Sequence, residues 1–288
     1  MCAEMGIEMR TISVQEITRN IKEMCIEANY ELSDDVKNAI YYHEETESNQ
    51  LGKQILSQLK ENMDIAENEN IPICQDTGMA VVFMKIGQDV HFDGGSVEDA
   101  INEGIRQGYT EGYLRKSVVG DPIERVNTKD NTPGVIHYEL VPGDKVELTV
   151  APKGFGSENM SRVCMLKPAD GIEGVKEAIL ETVRLAGPNA CPPVVVGVGV
   201  GGTFEKCVLL AKKALIRELG SHNPIPYVKD LEEEMLQKIN TIGIGPGGLG
   251  GDTTALGINI ETYPTHIAGL PVAINMCCHV NRHKTRII

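Results

Sequence analysis

Apolar residues recur at helical spacing through the first seventy positions. Val14, Ile17, Ile21, Met24, Cys25 and Ala28 fall on one face of a helix opened by Ser13, with Glu16 placed to complete a capping box. A second helix is predicted over 34–45. A third starts near Asn49, where Leu51, Ile55, Leu59 and Met63 stand four apart and form one apolar stripe. Pro72 ends the helical pattern. A short apolar strand is predicted over 80–86, then a helix opened by Ser96 and Asp99 that reaches about Leu114. From Val135 the pattern turns to strand, most clearly over 146–150. The remainder reads as a helix over 172–186, a buried strand over 194–200, helices over 203–219 and 228–239, and late strands over 255–260 and 272–276. The chain shows no internal repeat, low-complexity segment or linker. The pattern predicts a mixed α/β chain of the α+β kind: one domain over 1–288 with a helical amino-terminal subregion over 1–70.

Composition narrows the class. The chain has 288 residues and is 41% hydrophobic, enough for a sizeable core, and no apolar run approaches the ~20 residues that span a bilayer. The start, Met1-Cys2-Ala3-Glu4-Met5-Gly6, lacks a basic and then apolar stretch, so no signal peptide is expected. Eight cysteines in such a chain point to reduced thiols and a cytoplasmic setting. A net charge of −14 argues against nucleic acid and anionic membrane as partners. An anionic substrate would need local cations to offset that field.

Three cysteine stations stand where loops meet strands. Cys74 lies in Pro72-Ile73-Cys74-Gln75-Asp76-Thr77-Gly78, with a carboxylate two residues on that can exchange protons with whatever a thiolate-held metal binds. Cys191 lies in Asn189-Ala190-Cys191-Pro192-Pro193, and proline often follows an iron–sulfur ligand. Cys277 and Cys278 end an apolar strand in Asn275-Met276-Cys277-Cys278-His279. No Cys-x-x-Cys is present, which disfavours a zinc finger or ribbon. Spacing alone leaves open a three-cysteine metal site or a set of buried thiols. Cys2, Cys25, Cys164 and Cys207 fit the second description.

Two glycine-rich segments carry a literal GxGxxG. Gly197-Val198-Gly199-Val200-Gly201-Gly202 follows a strand, but the acidic residue at the required count, Glu218, falls inside a helix, so a dinucleotide fold does not fit. No strand leads into 243–254, which reads either as a tight loop close to a ligand or as a multi-turn connection. Lys153-Gly154-Phe155-Gly156-Ser157-Glu158-Asn159 is a glycine-hinged polar loop, and Arg115 and Lys116 follow a helix end. His266 reads as a surface loop residue. The basic tail 281–286 is either a solvated end or a docking surface for a partner.

Taken in order, Cys74-Gln75-Asp76-Thr77-Gly78, the 153–159 loop, Asn189-Ala190-Cys191-Pro192-Pro193, Gly250-Gly251-Asp252-Thr253-Thr254 and Pro271-Val272-Ala273-Ile274-Asn275 with Cys278-His279 resemble the class I, iron–sulfur fumarate hydratases. The resemblance is to their α subunit or the amino-terminal domain of fused enzymes, a pattern shared with L-tartrate dehydratase α subunits, and it covers about three quarters of the chain. It implies an Fe–S hydro-lyase α-type fold and a 4Fe–4S cluster held by Cys74, Cys191 and Cys278, with one iron left open as a Lewis acid. Cys277, where the family usually has another residue, leaves the third ligand between two neighbours. The resemblance further implies Asp76 as the proton donor or acceptor at the substrate hydroxyl. Gln75, Asp76, Arg115, Gly154, Gly156 and His266 would surround a small dicarboxylate. The implied reaction is hydration of fumarate to (S)-malate, with L-tartrate dehydration as the alternative and an electron carrier as the rival class. A β subunit, absent from this chain, would supply the base for the carbon-bound proton, in an α2β2 or similar heteromer.

Overall fold

A computed structural model describes residues 9–288, so Cys2 and the start over which no signal peptide is expected lie outside the described residues. The chain divides into two compact units. One comprises Met1–Glu31, Asn70–Lys153 and Arg282–Ile288, the other Leu32–Glu69 and Gly154–Asn281. The stretch expected as one helical subregion is therefore shared between both units.

In the first unit β1 (Arg10–Ser13) leads into α1 (Val14–Tyr30). Ser13 caps α1 by accepting the Gln15 N–H, and all six predicted apolar positions of its face are buried. The strands β2 (Met79–Gly87) and β3 (Val90–Asp93) precede, and β4 (Val135–Val141) and β5 (Val146–Lys153) follow, α4 (Val97–Glu111), which packs on α1 and which Ser96 caps by accepting the Asp99 N–H. The main sheet has the order β10-β5-β2-β4, where β10 is Lys284–Ile287, and β1 pairs with β3 separately. Ile17, Ile21, Met24, Val82, Met84, Ile101, Ile105, Leu148 and Val150 form its core. Burying each such side chain contributes roughly 1.5–3 kcal/mol.

The second unit holds α2 (Asp34–Thr46) and α3 (Gln50–Glu69), then the short α5 (Phe155–Glu158), β6 (Arg162–Leu166), α6 (Gly171–Ala186), β7 (Val194–Gly201), α7 (Phe204–Ala214), α8 (Pro226–Asn240), β8 (Ala255–Tyr263) and β9 (Leu270–Cys277). Its sheet has the order β6-β9-β7-β8, with β7 parallel to β8 and antiparallel to β9. Val196, Val198, Ile258, Ile274, Met276, Val183 and Met235 are among its core residues.

Four findings correct or complete the sequence reading. On α3 the buried residues are Gly52, Leu56, Met63 and Ala66, while Leu51 is exposed, so the expected stripe is turned by about one position. The helix expected over 203–219 ends at Ala214. The first GxGxxG is a packing device: a Cβ at Gly199 would collide with the Cys207 carbonyl, so glycine there lets α7 lie directly on β7. The basic tail is not a fully solvated end, since Asn281 and Arg282 are buried. Its residues form β10 against β5, Lys284 pairs with Glu31, and Arg286 pairs with Glu23 and Glu27 of α1. Among the described residues, no helix is long and apolar enough to cross a membrane.

Candidate functional site

In the first unit the loop from Cys74 to Gly78 enters β2 and is tied down residue by residue. The Ile73 N–H donates to the Asn29 carbonyl at 2.9 Å. The half-buried Cys74 sulfur accepts the Asp76 N–H at 3.4 Å, and Asp76 Oδ1 accepts the Gly78 N–H at 3.0 Å. The buried Tyr109 hydroxyl donates to the carbonyls of Thr77 (2.7 Å) and Gly78 (3.1 Å). Asn131 Nδ2 also donates to Gly78, and its Oδ1 accepts the Ser117 N–H. Gly78 sits at φ 75°, where a Cβ would stand 2.8 Å from the Lys153 backbone, so this turn needs glycine. The Thr77 hydroxyl donates to the Arg115 carbonyl at 3.1 Å, which brings the exposed Arg115 to the same loop. Cys74, Gln75, Asp76 and Arg115 are thus gathered on one rigid scaffold.

The second unit gathers another set. Val195 of β7 is in register with Cys277 of β9, so Cys191, just before β7, and Cys278, just after β9, lie at the same end of this strand pair. His279 Nδ1 stands 3.1 Å from the Cys191 carbonyl and ties the two segments together. Cys191 is exposed and left-handed (φ 54°), a strained state for a non-glycine residue, of the kind that clusters at functional sites. Cys277 is buried within the strand and Cys278 is half-buried beyond its end. Gly154 precedes α5, which packs against β9 and the 187–190 turn, and Gly156 lies beside the Asn189 carbonyl. His266 is not part of this grouping. It lies on the connection leaving the opposite end of the sheet, where Gly201 pairs with Tyr263, and its exposed ring accepts the Ala268 N–H through Nδ1.

The glycine-rich 243–254 segment also approaches the Cys191 station, because the Gly247 N–H donates to the Pro192 carbonyl at 2.8 Å. Sequence reading missed the residue that shapes this loop. Glu47, 5% exposed at the end of α2, accepts the N–H groups of Asn49, Asp252 and Thr253. Burial pushes the Glu47 carboxyl up, but those hydrogen bonds outweigh it and leave its pKa below the ordinary 4.5. A lowered carboxylate stabilises the fold above its unfolded pKa and loses that contribution as pH falls through the folded value. Glu47→Gln is therefore expected to cost about 1–3 kcal/mol at pH 7. The gap to wild type should narrow below about pH 4.5, read by urea unfolding at several pH values. An equal gap at pH 7 and pH 3.5 would count against the charged carboxylate as the clamp.

The remaining described cysteines are packing residues. Burial pushes the Cys25 thiol up to about 12, and burial also raises that of Cys207, whose sulfur donates to the Phe204 carbonyl. Among the described residues, no three His, Cys, Asp or Glu side chains are grouped closely enough to hold a metal ion. Cys191 and Cys278 lie at one end of a strand pair in the second unit, and Cys74 lies in the first unit.

Comparison with known proteins gives the same motifs a family. The family model described as fumarate hydratase (Fumerase) matches residues 18–287. A putative L(+)-tartrate dehydratase subunit alpha of Methanocaldococcus jannaschii is 42% identical over 279 residues, covering 95% of this chain and 98% of its own. L(+)-tartrate dehydratase subunit alpha of Escherichia coli O157:H7 is 31% identical over 292 residues, covering 100% and 95%. The protein of that name from Escherichia coli K12 is 30% identical over the same span. With the match running through the Cys74 loop, the Cys191 turn and the end of β9 alike, this chain belongs to the fumarate hydratase family.

Proposed function

We propose that this chain is the α subunit of a hydro-lyase that reversibly hydrates fumarate to (S)-malate. The observation that carries the reading is the family match over residues 18–287, which takes in every motif block. By donor chemistry, three thiols are what a 4Fe–4S cluster takes. Cys74, Cys191 and Cys278 would hold it, since thiolates are the soft ligands iron–sulfur clusters select. Cys278 is preferred to Cys277 because the latter is buried in its strand. When bound, the cluster would supply a Lewis-acid iron for the hydroxyl and carboxylate of the substrate.

The chain's own residues do the rest. Asp76, oriented by the Gly78 N–H on its Oδ1, moves the proton at the substrate hydroxyl. On the first unit Gln75 offers amide hydrogen bonds and Arg115 an exposed guanidinium whose planar fork suits a carboxylate. On the second, Gly154 and Gly156 leave backbone open to a bound acid. A partner β subunit in a heteromer such as α2β2 supplies the base at carbon, and reduced thiols suit the cytoplasm.

A second reading takes L-tartrate as substrate, favoured by the names of the 42% and 31% identical relatives. The two acids differ by one hydroxyl, and a site built to hydrogen-bond it discriminates by large factors. Turnover of (S)-malate and L-tartrate by this chain assembled with its cognate β subunit decides between them. We expect turnover of (S)-malate by the complex and none by the chain alone. A strong preference for L-tartrate would replace the substrate. An iron-loaded complex that dehydrates neither acid would remove the hydro-lyase reading.

A further inference from the structure

We infer that Arg282 is a positioning residue that suspends the Cys74–Asp76 loop from the central strand β5. Arg282 is 4% exposed. Nη2 donates to the main-chain carbonyl of Asp76, and Nε donates to the Pro152 carbonyl on β5 at 3.3 Å. Pro152 is in register with Ala80 of β2, and β5 lies between β2 and β10, so it is a firm support. The side chain is anchored from behind by β10, which starts two residues later and pairs with β5. Tyr109 and Asn131 hold the loop at Thr77 and Gly78, whereas Arg282 holds it at Asp76 itself. The Tyr109 phenol, raised chiefly by burial, also feels both the Arg282 and the Asp76 charge, so the three groups form one cluster.

Stability does not account for an arginine here. Taking a guanidinium out of water is costly, and an apolar side chain of similar size is often neutral or better at such a position. Two carbonyls repay only part of the cost: Nη1 is buried with no hydrogen-bond partner among the described residues. What the planar fork supplies is direction, because it fixes one carbonyl relative to another. Proton transfer depends on that, since a misplacement of ~1 Å can cost about a hundredfold.

This inference rests on the proposed hydro-lyase reading for the role of Asp76, and its test separates the two. In the assembled holoenzyme Arg282→Met is expected to lower kcat per bound iron about 10–100-fold with KM changed less than about threefold. The thermal midpoint should be equal to or above that of wild type. Amide hydrogen exchange over 74–77 should quicken about tenfold, with exchange in the rest of β2 unchanged. Arg282→Lys, which keeps the charge but not the fork, should fall between the two. Wild-type kcat or unchanged exchange over 74–77 in Arg282→Met would overturn the inference, as would a fall in activity matched by a general loss of stability. If Arg282→Met does not fold, Arg282→Lys decides by the same two readouts. A wild-type complex that turns over no C4 acid would instead sink the hydro-lyase reading, while the exchange result still reports on the loop.

Discussion

Replacing Cys74, Cys191 or Cys278 singly by serine is expected to remove the bound iron and all measurable turnover of the assembled enzyme. A serine hydroxyl is a hard, weakly acidic donor, whereas a cluster selects thiolate sulfur. With three protein ligands, the loss of one leaves the cluster two anchors. The controls are Cys164→Ser, on β6, and Cys207→Ser, on α7, which should keep iron and activity. The Cys207 sulfur donates to the Phe204 carbonyl at 3.2 Å, a bond that a serine hydroxyl also makes. Iron per chain and the visible absorbance of the purified complex provide the measurement. Cys277→Ser sharpens it: the buried Cys277 should tolerate the change as far as iron is concerned. Loss of iron in Cys277→Ser together with retention in Cys278→Ser would move the third ligand one residue back.

Asp76→Asn is expected to lower kcat by about 10²–10⁴-fold while iron content and thermal midpoint stay near wild type. Asparagine keeps an Oδ1 that can accept the Gly78 N–H, now 3.0 Å from the carboxylate, so the loop retains its turn. It cannot take or give a proton at the substrate hydroxyl. Removal of a proton-transfer group should appear in kcat far more than in KM. A variant within about tenfold of wild type would reassign the proton transfer to another group. Measuring iron alongside separates this outcome from simple damage to the Cys74 station two residues away.

Much of the architecture was legible because it rests on local rules. The face of α1, the Ser13 and Ser96 caps and the strand over 146–150 follow from periodicity and side-chain capping, which act over a few residues. The family was legible too, because its motif blocks are short and keep their order along the chain. The strands β1, β3, β6 and β10 were not predicted. Each has four or five residues, and its stability comes from a neighbour distant in sequence, as when Thr285 meets Thr149 across β10 and β5.

The sequence by itself therefore determined which residues can do chemistry: three cysteine stations, a carboxylate beside one of them, and an anionic chain that must find cations locally. Only the tertiary structure decided how those residues are held. On α3, two rows fit a helical period equally well, and neighbouring elements chose Gly52, Leu56, Met63 and Ala66. The cations of the tail read as either a solvated end or a docking surface, yet Arg282 reaches the carbonyl of Asp76 across 206 positions of sequence, and Glu47 reaches Asp252 across 205. A buried charge is held in place by carbonyls or N–H groups that satisfy it, and those partners come from backbone brought close only by folding. No local pattern of residue types carries that information.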